Sequence, residues 1–472
     1  MRRFFRDFMI YGFTSVLGKM IAIFTMPVFT SILTREEYGA MALITSCQGI
    51  IDLVSNLNIH SGIAREYYET DDEGRKKLVS TGFYSIISIA LTICIILVAS
   101  QRLWRESLIG VADDYELAFI LMLVTIPCSS LLSYFAILTR YKKKPILYTI
   151  GTTVQLLIQI SISIIGVVKM GWGINSMFLG ILTGQIFAFV FFFIINRSLV
   201  SFTFSFPIIK RALKFSIPTL PAILAVWLDG SLGQILIGKY VSLADLGVYS
   251  IALHLASVLS LISIGLQNVW GPFLYENYKK DSFKCDVARL FTIIAFTLLV
   301  GSCMVSLFSR EIILIFTNVN YLDARKYVTI LMIPMSIYML YPIAASGVHI
   351  SRDTKYIGIA YVAGSIMNLS VLLFSIGRLG VIAVPLCLML SRITTFLTLY
   401  KVSERKIAYN LPISLLGWQI MVIALCYVIN TADLNLLIRI CIAIVVLMIV
   451  AVLLVKKYNA MVLIKSILSK RA

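Results

Sequence analysis

Charge is what this chain of 472 residues lacks most. Aspartate, glutamate, lysine and arginine make up 14% of it, where a soluble domain has about a quarter. Acids are the scarcer sign, 23 against 41 bases, and histidines number three. So few ionic groups cannot cover the surface of a water-soluble enzyme, and the soluble globular classes are excluded. Paired cysteines are also absent. Of the eight, Cys47, Cys94, Cys128, Cys303, Cys387, Cys426 and Cys441 lie inside apolar stretches and Cys285 in a loop. That scatter predicts neither a disulfide framework nor a zinc site, and the residues read as small apolar packing groups. "MRRFFRDF" runs straight into apolar sequence with no small-residue cleavage site after a short core, so no cleavable signal peptide is expected.

What is present is hydrocarbon: 59% of residues are hydrophobic and mean hydropathy is +0.93. A span takes roughly 20 apolar residues. The sequence divides into stretches near 8–33, 38–60, 78–100, 115–139, 145–168, 173–196, 214–238, 246–270, 287–308, 326–350, 356–377, 379–400, 412–430 and 434–455. The expected fold class is an all-α polytopic membrane protein of about fourteen transmembrane helices. The longest connections, 197–213 and 309–325, leave no room for an ATPase domain. "GQILIGKY" (233–240) fits GxxxxGK but lies within a span, where no phosphate loop can form between strand and helix.

The net charge of +18 is a topology signal. Loops on one side hold 29 of the 41 lysines and arginines and those on the other side hold 9. The basic side is cytoplasmic, which puts both termini there. The bases meet anionic headgroups and no nucleic acid. Trp104 and Trp172 fall at outer span ends, where aromatic belts sit. The tail "VKKYNAMVLIKSILSKRA" reads as an amphipathic helix on the inner leaflet.

Shifted against itself by about 208 residues, the sequence matches. "LTREEYGAMALI" (33–44) meets "VSLADLGVYSIA" (241–252), with Glu37–Tyr38–Gly39 on Asp245–Leu246–Gly247, and "AREYYE" (64–69) meets "GPFLYE" (271–276) after a slip of one. Six spans separate the copies, so they share one orientation. Such parallel repeats predict two six-helix lobes with substrate between them. The expected division is an N-lobe at 1–196, a cytoplasmic linker at 197–213, a C-lobe at 214–400, and two further helices with the tail at 401–472.

A first span with a central base and a late proline ("GKMIAIFTMPVFTSIL", 18–33), then "TREEYG" (34–39), then Arg65, Tyr67 and Tyr68 closing the second span, resembles the polysaccharide transporter family. These are the Wzx-type flippases of the multidrug/oligosaccharidyl-lipid/polysaccharide exporter superfamily. The resemblance implies movement of a polyprenyl-pyrophosphate-linked oligosaccharide from inner to outer leaflet by alternating access, in the bacterial cytoplasmic membrane, for surface polysaccharide synthesis. With no ATPase domain, transport is expected to run on an ion gradient, H+ or Na+, or on the substrate's own gradient; a monomer with no cofactor is expected, with the lipid-linked oligosaccharide pyrophosphate, membrane lipids and a polysaccharide polymerase as partners. The resemblance also makes Arg65 a substrate residue.

Ionisable residues inside spans are functional candidates by default, because leaving one unpaired in lipid costs several kcal/mol. Lys19, Asp52 and Arg392 fall near mid-bilayer, and Asp229 and His254 nearer the outer surface. On the second span Thr45, Gln48, Asp52 and Asn56 recur at three and four residues, a stripe on one face. Gln155 and Gln159 stand four apart on the fifth. Such stripes predict a hydrated cavity. Lys19 and Asp52, at similar depth, fit either a neutralising pair or a site. Asp229 and His254 fit either a hydrogen-bonded pair or, with Asp52, a coupling-ion site. Arg392 has no acid at its depth in its own half, and its planar fork suits pyrophosphate oxygens. The expected substrate residues are therefore Arg392, Lys19, Arg65, Gln48, Asn56, Gln155 and Gln159. Arg439 is expected to snorkel outward.

Two other functions fit the same spans. A membrane polymerase or ligase needs an outer loop for chemistry, and the richest outer loop, "TNVNYLDARK" (317–326), holds no catalytic constellation. A multidrug exporter of the same superfamily favours isolated carboxylates, whereas Lys19 and Arg392 favour an anion.

Overall fold

The computed structural model describes residues 2–105, 113–432 and 434–458; the tail read as amphipathic lies mostly outside them. The chain is an all-α integral membrane protein. Among the described residues, ten helical stretches are long and apolar enough to cross a membrane, and three shorter apolar helices accompany them.

One compact unit comprises residues 1–250 and 376–381. It opens with α1 (Arg2–Ile32), α2 (Arg35–Asn56), the short α3 (Ile59–Tyr67), α4 (Asp72–Trp104), α5 (Glu116–Tyr141), α6 (Pro145–Val168) and α7 (Ile174–Asn196). Then α8 (Phe206–Ser216), α9 (Leu220–Trp227) and α10 (Gly233–Tyr240) form one nearly continuous rod. Its first turns thus occupy part of the segment read from sequence as a linker. The aromatic core of this unit gathers Tyr134, Phe135, Phe192 and Ile63, all at most 1% exposed. The pair α6–α7 closes on small residues: a Cβ on Gly180 would stand 2.5 Å from the Gln159 carbonyl oxygen, and one on Gly184 2.8 Å from that of Gln155. Small-xxx-small spacing of this kind lets helix backbones meet where lipid supplies no hydrophobic drive.

The other unit comprises residues 251–375 and 382–472. Helix α11 (Leu243–Ala256) leads into it, followed by α12 (Ser260–Asn277), α13 (Phe283–Leu307), the short α14 (Ser309–Phe316) and α15 (Ala324–Met339). The rod that α15 begins is interrupted at Leu340 and again at Ala345, giving α16 (Tyr341–Ala344) and α17 (Ser346–Ile350). Pro342 lacks the N–H that would carry the helix through. Helices α18 (Lys355–Leu379), α19 (Ala383–Lys406), α20 (Ser414–Thr431) and α21 (Leu436–Tyr458) complete the described chain. Buried polar groups here satisfy one another. Asn430 donates to Thr329 Oγ1 at 2.9 Å and to the Ser306 carbonyl at 2.7 Å, and Ser302 and Ser336 share a hydrogen bond of 2.8 Å.

The repeat read from the sequence has a local physical cause. Thr34 caps α2: its hydroxyl accepts from the Glu37 N–H at 3.2 Å, and its own N–H donates to the Glu37 carboxylate at 2.8 Å, a capping box. At the start of α11, Ser242 accepts from the Asp245 N–H at 3.0 Å and donates to the Asp245 carboxylate at 2.7 Å. Two residues beyond each acid stands the repeated glycine, and the two glycines meet. A Cβ on Gly39 would lie 1.8 Å from the Leu243 carbonyl oxygen, and one on Gly247 2.2 Å from that of Arg35. The two helix starts cross backbone on backbone.

Candidate functional site

Helix α2 is a polar stripe on an apolar rod, and it turns that stripe toward α5. Gln48, buried, donates from Nε2 to Thr125 Oγ1 at 3.0 Å. One turn on, the Ser129 hydroxyl donates to Asp52 Oδ1 at 2.5 Å. A carboxylate inside a membrane bundle must be hydrogen-bonded, paired or protonated, and Ser129 supplies one such bond from the neighbouring helix. Thr125 and Ser129 stand four apart, so one face of α5 matches the Gln48–Asp52 face of α2. The sequence carried that signal in "TIPCSS" (125–130), whose hydroxyls read as ordinary small packing residues. Lys19 lies half-buried on α1, which packs chiefly on α6.

The last residue of the stripe is held locally. Asn56 Oδ1 accepts from the N–H of Asn58 at 2.8 Å. Leu57 and Asn58 both take left-handed backbone, φ 45° and 53°, a conformation unfavourable for a branched side chain such as leucine. Asn58 in turn donates to Thr219 Oγ1 at 2.9 Å and accepts from the Ser61 hydroxyl at 2.8 Å. Asn56 therefore helps to fix a strained break between α2 and α3. Beyond the break, exposed Arg65 lays its guanidinium over the Phe215 ring, 5.2 Å from its centre. Its neighbour Glu66 takes both prongs of Arg211, each at 3.0 Å. Gln155 and Gln159 are half-buried on α6, and their backbones line the close approach of α7.

Asp229 is 6% exposed and sits in a five-residue π turn, Leu228–Leu232, inserted in the rod between α9 and α10. Such wide turns are rare and recur at functional sites; nothing in "VWLDGSLG" announces one. His254 is exposed on α11, and its carbonyl accepts from the Ser257 hydroxyl at 2.7 Å.

Arg392, on α19, is 9% exposed and set among tyrosines. Its guanidinium carbon stands 4.5 Å from the ring centre of Tyr338 and 6.0 Å from that of Tyr341. Cation–π contacts strengthen where water is excluded, to about 2 kcal/mol. Tyr341 donates its phenolic proton to the Arg392 carbonyl at 3.1 Å and meets Tyr338 and Tyr361 edge-on, with centroids 5.2 and 5.8 Å apart. Tyr338 and Tyr341 flank the break at Leu340. Reading charges alone passed over these three tyrosines.

Arg439 corrects an expectation. It does not snorkel outward: it is 5% exposed, bonds both carboxylate oxygens of Glu311 at 2.9 and 2.5 Å, and donates to the Leu307 carbonyl at 2.8 Å. Glu311 lies on α14, a turn the sequence showed as loop, so its reach to α21 was hidden. A buried guanidinium with a fork-shaped partner is a structural tie. Among the described residues no group of three or more metal-ligating side chains occurs.

Residues 28–326 match the family described as polysaccharide biosynthesis protein. Among curated relatives is the succinoglycan biosynthesis transport protein ExoT of Rhizobium meliloti (strain 1021), 21% identical over 280 residues. That match covers 57% of this chain and 54% of ExoT, little more than half its length. Among solved structures, the lipid II flippase MurJ in an inward closed conformation superposes with a TM-score of 0.74 at 18% identity, over 96% of this chain and 100% of its own. An inward-facing multidrug resistance MATE family transporter of the MOP superfamily reaches 0.67 at 15%, over 86% and 95%. At these identities the structures establish a shared fold. The family match spans well over half of the sequence and supplies the rest: the chain belongs to the polysaccharide biosynthesis protein family.

Proposed function

We propose that the chain is a flippase that moves a polyprenyl-pyrophosphate-linked oligosaccharide from the inner to the outer leaflet by alternating access. One observation carries the reading: a chain of a polysaccharide biosynthesis family has the fold of a lipid flippase and lies almost wholly in helices of membrane-spanning character. The proposed setting is the bacterial inner membrane, with both termini cytoplasmic; the excess of lysine and arginine in one set of loops supports that orientation. The chain carries out transport without covalent chemistry, and it acts as a monomer beside a polysaccharide polymerase.

Arg392 is the residue assigned to the pyrophosphate, because a guanidinium binds phosphate oxygens two at a time. Lys19, Arg65, Gln48, Asn56, Gln155 and Gln159 are its proposed companions. Asp52, with Asp229 and His254, is assigned to the coupling ion, H+ or Na+. Ser129 and Gln48 give Asp52 a polar surrounding in which it can exchange a proton or ligate a small cation.

In a strain deprived of its own flippase, wild type restores surface polysaccharide, and Arg392→Ala leaves lipid-linked oligosaccharide stranded in the inner leaflet although the protein inserts at normal levels. Full complementation by Arg392→Ala would remove Arg392 from the site. The Lys19→Asp/Asp52→Lys double exchange separates two roles: recovered transport identifies a neutralising pair, and persistent loss identifies direct participation. The MATE likeness favours a second reading, cation-coupled multidrug export. Dye efflux that is independent of any saccharide carrier, together with failed complementation, would establish that reading instead.

A further inference from the structure

The cysteines are scattered along the sequence, and the second unit brings two of them together. Cys303 of α13 and Cys426 of α20 stand 123 residues apart in the chain, yet their sulfurs meet at 3.6 Å. Both are buried, 0% and 2% exposed, in an apolar cluster with Leu307, Ile429 and Ala443. Small thiols in such a core ordinarily only fill space. Here the helices that carry them are also fixed in register. One turn beyond the thiols, Asn430 of α20 donates to the Ser306 carbonyl of α13 at 2.7 Å, to Ser309 Oγ at 3.2 Å and to Thr329 Oγ1 at 2.9 Å. Arg439 of α21 adds a second tie, to Glu311 and the Leu307 carbonyl. The two helices therefore run side by side in the same sense, and a polar layer near their ends sets the height of each sulfur. A disulfide joins its sulfurs at about 2.05 Å, so closure asks each of these to move by less than an ångström. By contrast, Cys94 meets the Leu123 carbonyl and Cys387 the Ser375 hydroxyl, contacts with no redox chemistry.

We propose that Cys303 and Cys426 are a reversible redox clamp: a peroxide converts the two thiols into a disulfide that locks α20, and α21 beyond it, onto α13. One thiol sulfur attacks the O–O bond of hydrogen peroxide, giving a sulfenic acid (S–OH) and a first water. The second thiol attacks that sulfur, forms the S–S bond and releases a second water. In all, two thiols lose two electrons and one peroxide is reduced to two waters. A soluble thiol reverses the step by exchange and itself leaves as a disulfide. Peroxide is small and uncharged, so it can enter an apolar helix contact that excludes ions and proteins. Cys303 stands four residues from the end of α13 and Cys426 five from the end of α20, roughly 6–8 Å along each axis. In the orientation proposed above, that end faces the outer, oxidising compartment, where an oxidant arrives first. The bridge closes a long stretch of chain, the case in which a cross-link restricts the unfolded state most. The helices it ties, α20 and α21, fall outside the sequence repeat and are held in the reduced protein by packing and hydrogen bonds. Oxidation adds a covalent bond.

The test uses the full chain in lipid nanodiscs, reduced, then exposed to hydrogen peroxide, alkylated and digested. Mass spectrometry should find a peptide pair joined through Cys303 and Cys426 in the wild type, and dithiothreitol should remove it. Peroxide reaches both faces of a nanodisc, so the result does not depend on the proposed orientation or cargo. The thermal midpoint of the wild type should rise by several degrees on oxidation and fall back on reduction, the behaviour of a disulfide across a long loop. Cys303→Ala and Cys426→Ser should show no such rise. The wild type is also compared with itself, so the test survives a variant that folds poorly. In cells challenged with peroxide, quenched in acid and alkylated, the bridged fraction should increase severalfold. No joined peptide at a dose that converts exposed Cys285 to its sulfenic acid overturns the clamp. So does pairing of Cys303 or Cys426 with some other cysteine, or a bridge that leaves the midpoint unmoved. A bridge that forms in nanodiscs and never in challenged cells overturns it as well.

Discussion

The two repeat copies begin alike and then part. Each opens with a hydroxyl cap, an acid three residues on and a glycine two beyond: Thr34, Glu37 and Gly39 in one, Ser242, Asp245 and Gly247 in the other. One turn farther into the membrane the likeness stops. The stripe of Thr45, Gln48 and Asp52 on α2 corresponds, at the same offset of 208, to Leu253, Ala256 and Ser260. The first copy places a carboxylate on a hydroxyl donor of α5, Ser129. The second copy buries a carboxylate, Asp229, ahead of its capping box and, on its last helix, a cation, Arg392, over aromatic rings. What the two copies share is the frame, meaning caps and close crossings that fix helix ends. What diverged is the polar content of the membrane interior, which is where chemistry distinguishes one transporter from another.

The sharpest way to break the likeness is at the crossing glycines. Alanine ordinarily improves a helix over glycine by about 0.5–1 kcal/mol. At Gly39 or Gly247 the added Cβ meets backbone oxygen at 1.8 or 2.2 Å, so each Gly→Ala change should instead destabilise by at least the roughly 1–3 kcal/mol typical of overpacking. Gly417→Ala on α20, where nothing lies within 4 Å, is the control and should be neutral or stabilising. Thermal midpoints followed by size exclusion of the detergent-solubilised protein would check this. The double variant should lose less than the sum of the singles, because one separation of the two helix starts relieves both clashes. Additive losses would mean that the glycines act independently and that the crossing is incidental.

A smaller effect compares the two caps. Thr34→Ala and Ser242→Ala should each cost about 1 kcal/mol, measured the same way, and Glu37→Gln should be milder than Thr34→Ala because an amide oxygen still accepts from the Thr34 N–H. A loss confined to one copy would show that the second box is a coincidence of sequence. The caps are legible in the sequence itself, since Thr34–x–x–Glu37 is a local pattern with local geometry. The helical class and the membrane setting are legible for the same reason, because hydropathy is a sum over neighbours. Gly39 is visible as a repeat, but its cause, a crossing with Leu243, lies two hundred residues away along the chain. Asn56 looks like one more rung of a polar stripe. Its bond to the Asn58 N–H depends on two left-handed residues that no periodicity predicts. Arg439 looks free because its acid, Glu311, sits on a short helix that composition shows as loop. Tyr338, Tyr341 and Tyr361 are spread over two rods, and only folding gathers them beside Arg392.

The smallest expected effect lies at two surface ion pairs, Arg211 with Glu66 and Lys406 with Asp353. In the first, Arg211 grips Glu66 with two bonds of 3.0 Å. In the second, Lys406 holds Asp353 with one of 2.5 Å. The second pair titrates within reach. The hydrogen bond from Lys406, reinforced by its charge, holds the Asp353 carboxyl below its ordinary 3.8, and the same bond raises Lys406 above its ordinary 10.5. A lowered carboxyl stabilises the fold fully above 3.8 and loses that contribution as pH falls through its lowered value. The raised lysine contributes below 10.5 and loses its share as pH climbs past its raised value. Asp353→Asn should therefore lower the thermal midpoint slightly at neutral pH, and the gap from wild type should close on acidification. Both groups are exposed, so about 1 M salt, with a screening length near 3 Å, should close the gap as well. Glu66→Gln should cost less than full loss of the pair, because an amide oxygen still accepts one of the two bonds from Arg211. A gap at Asp353 that survives both acid and salt would mean that the residue holds its loop through backbone geometry, and the likeness between the two surface pairs would end at their position.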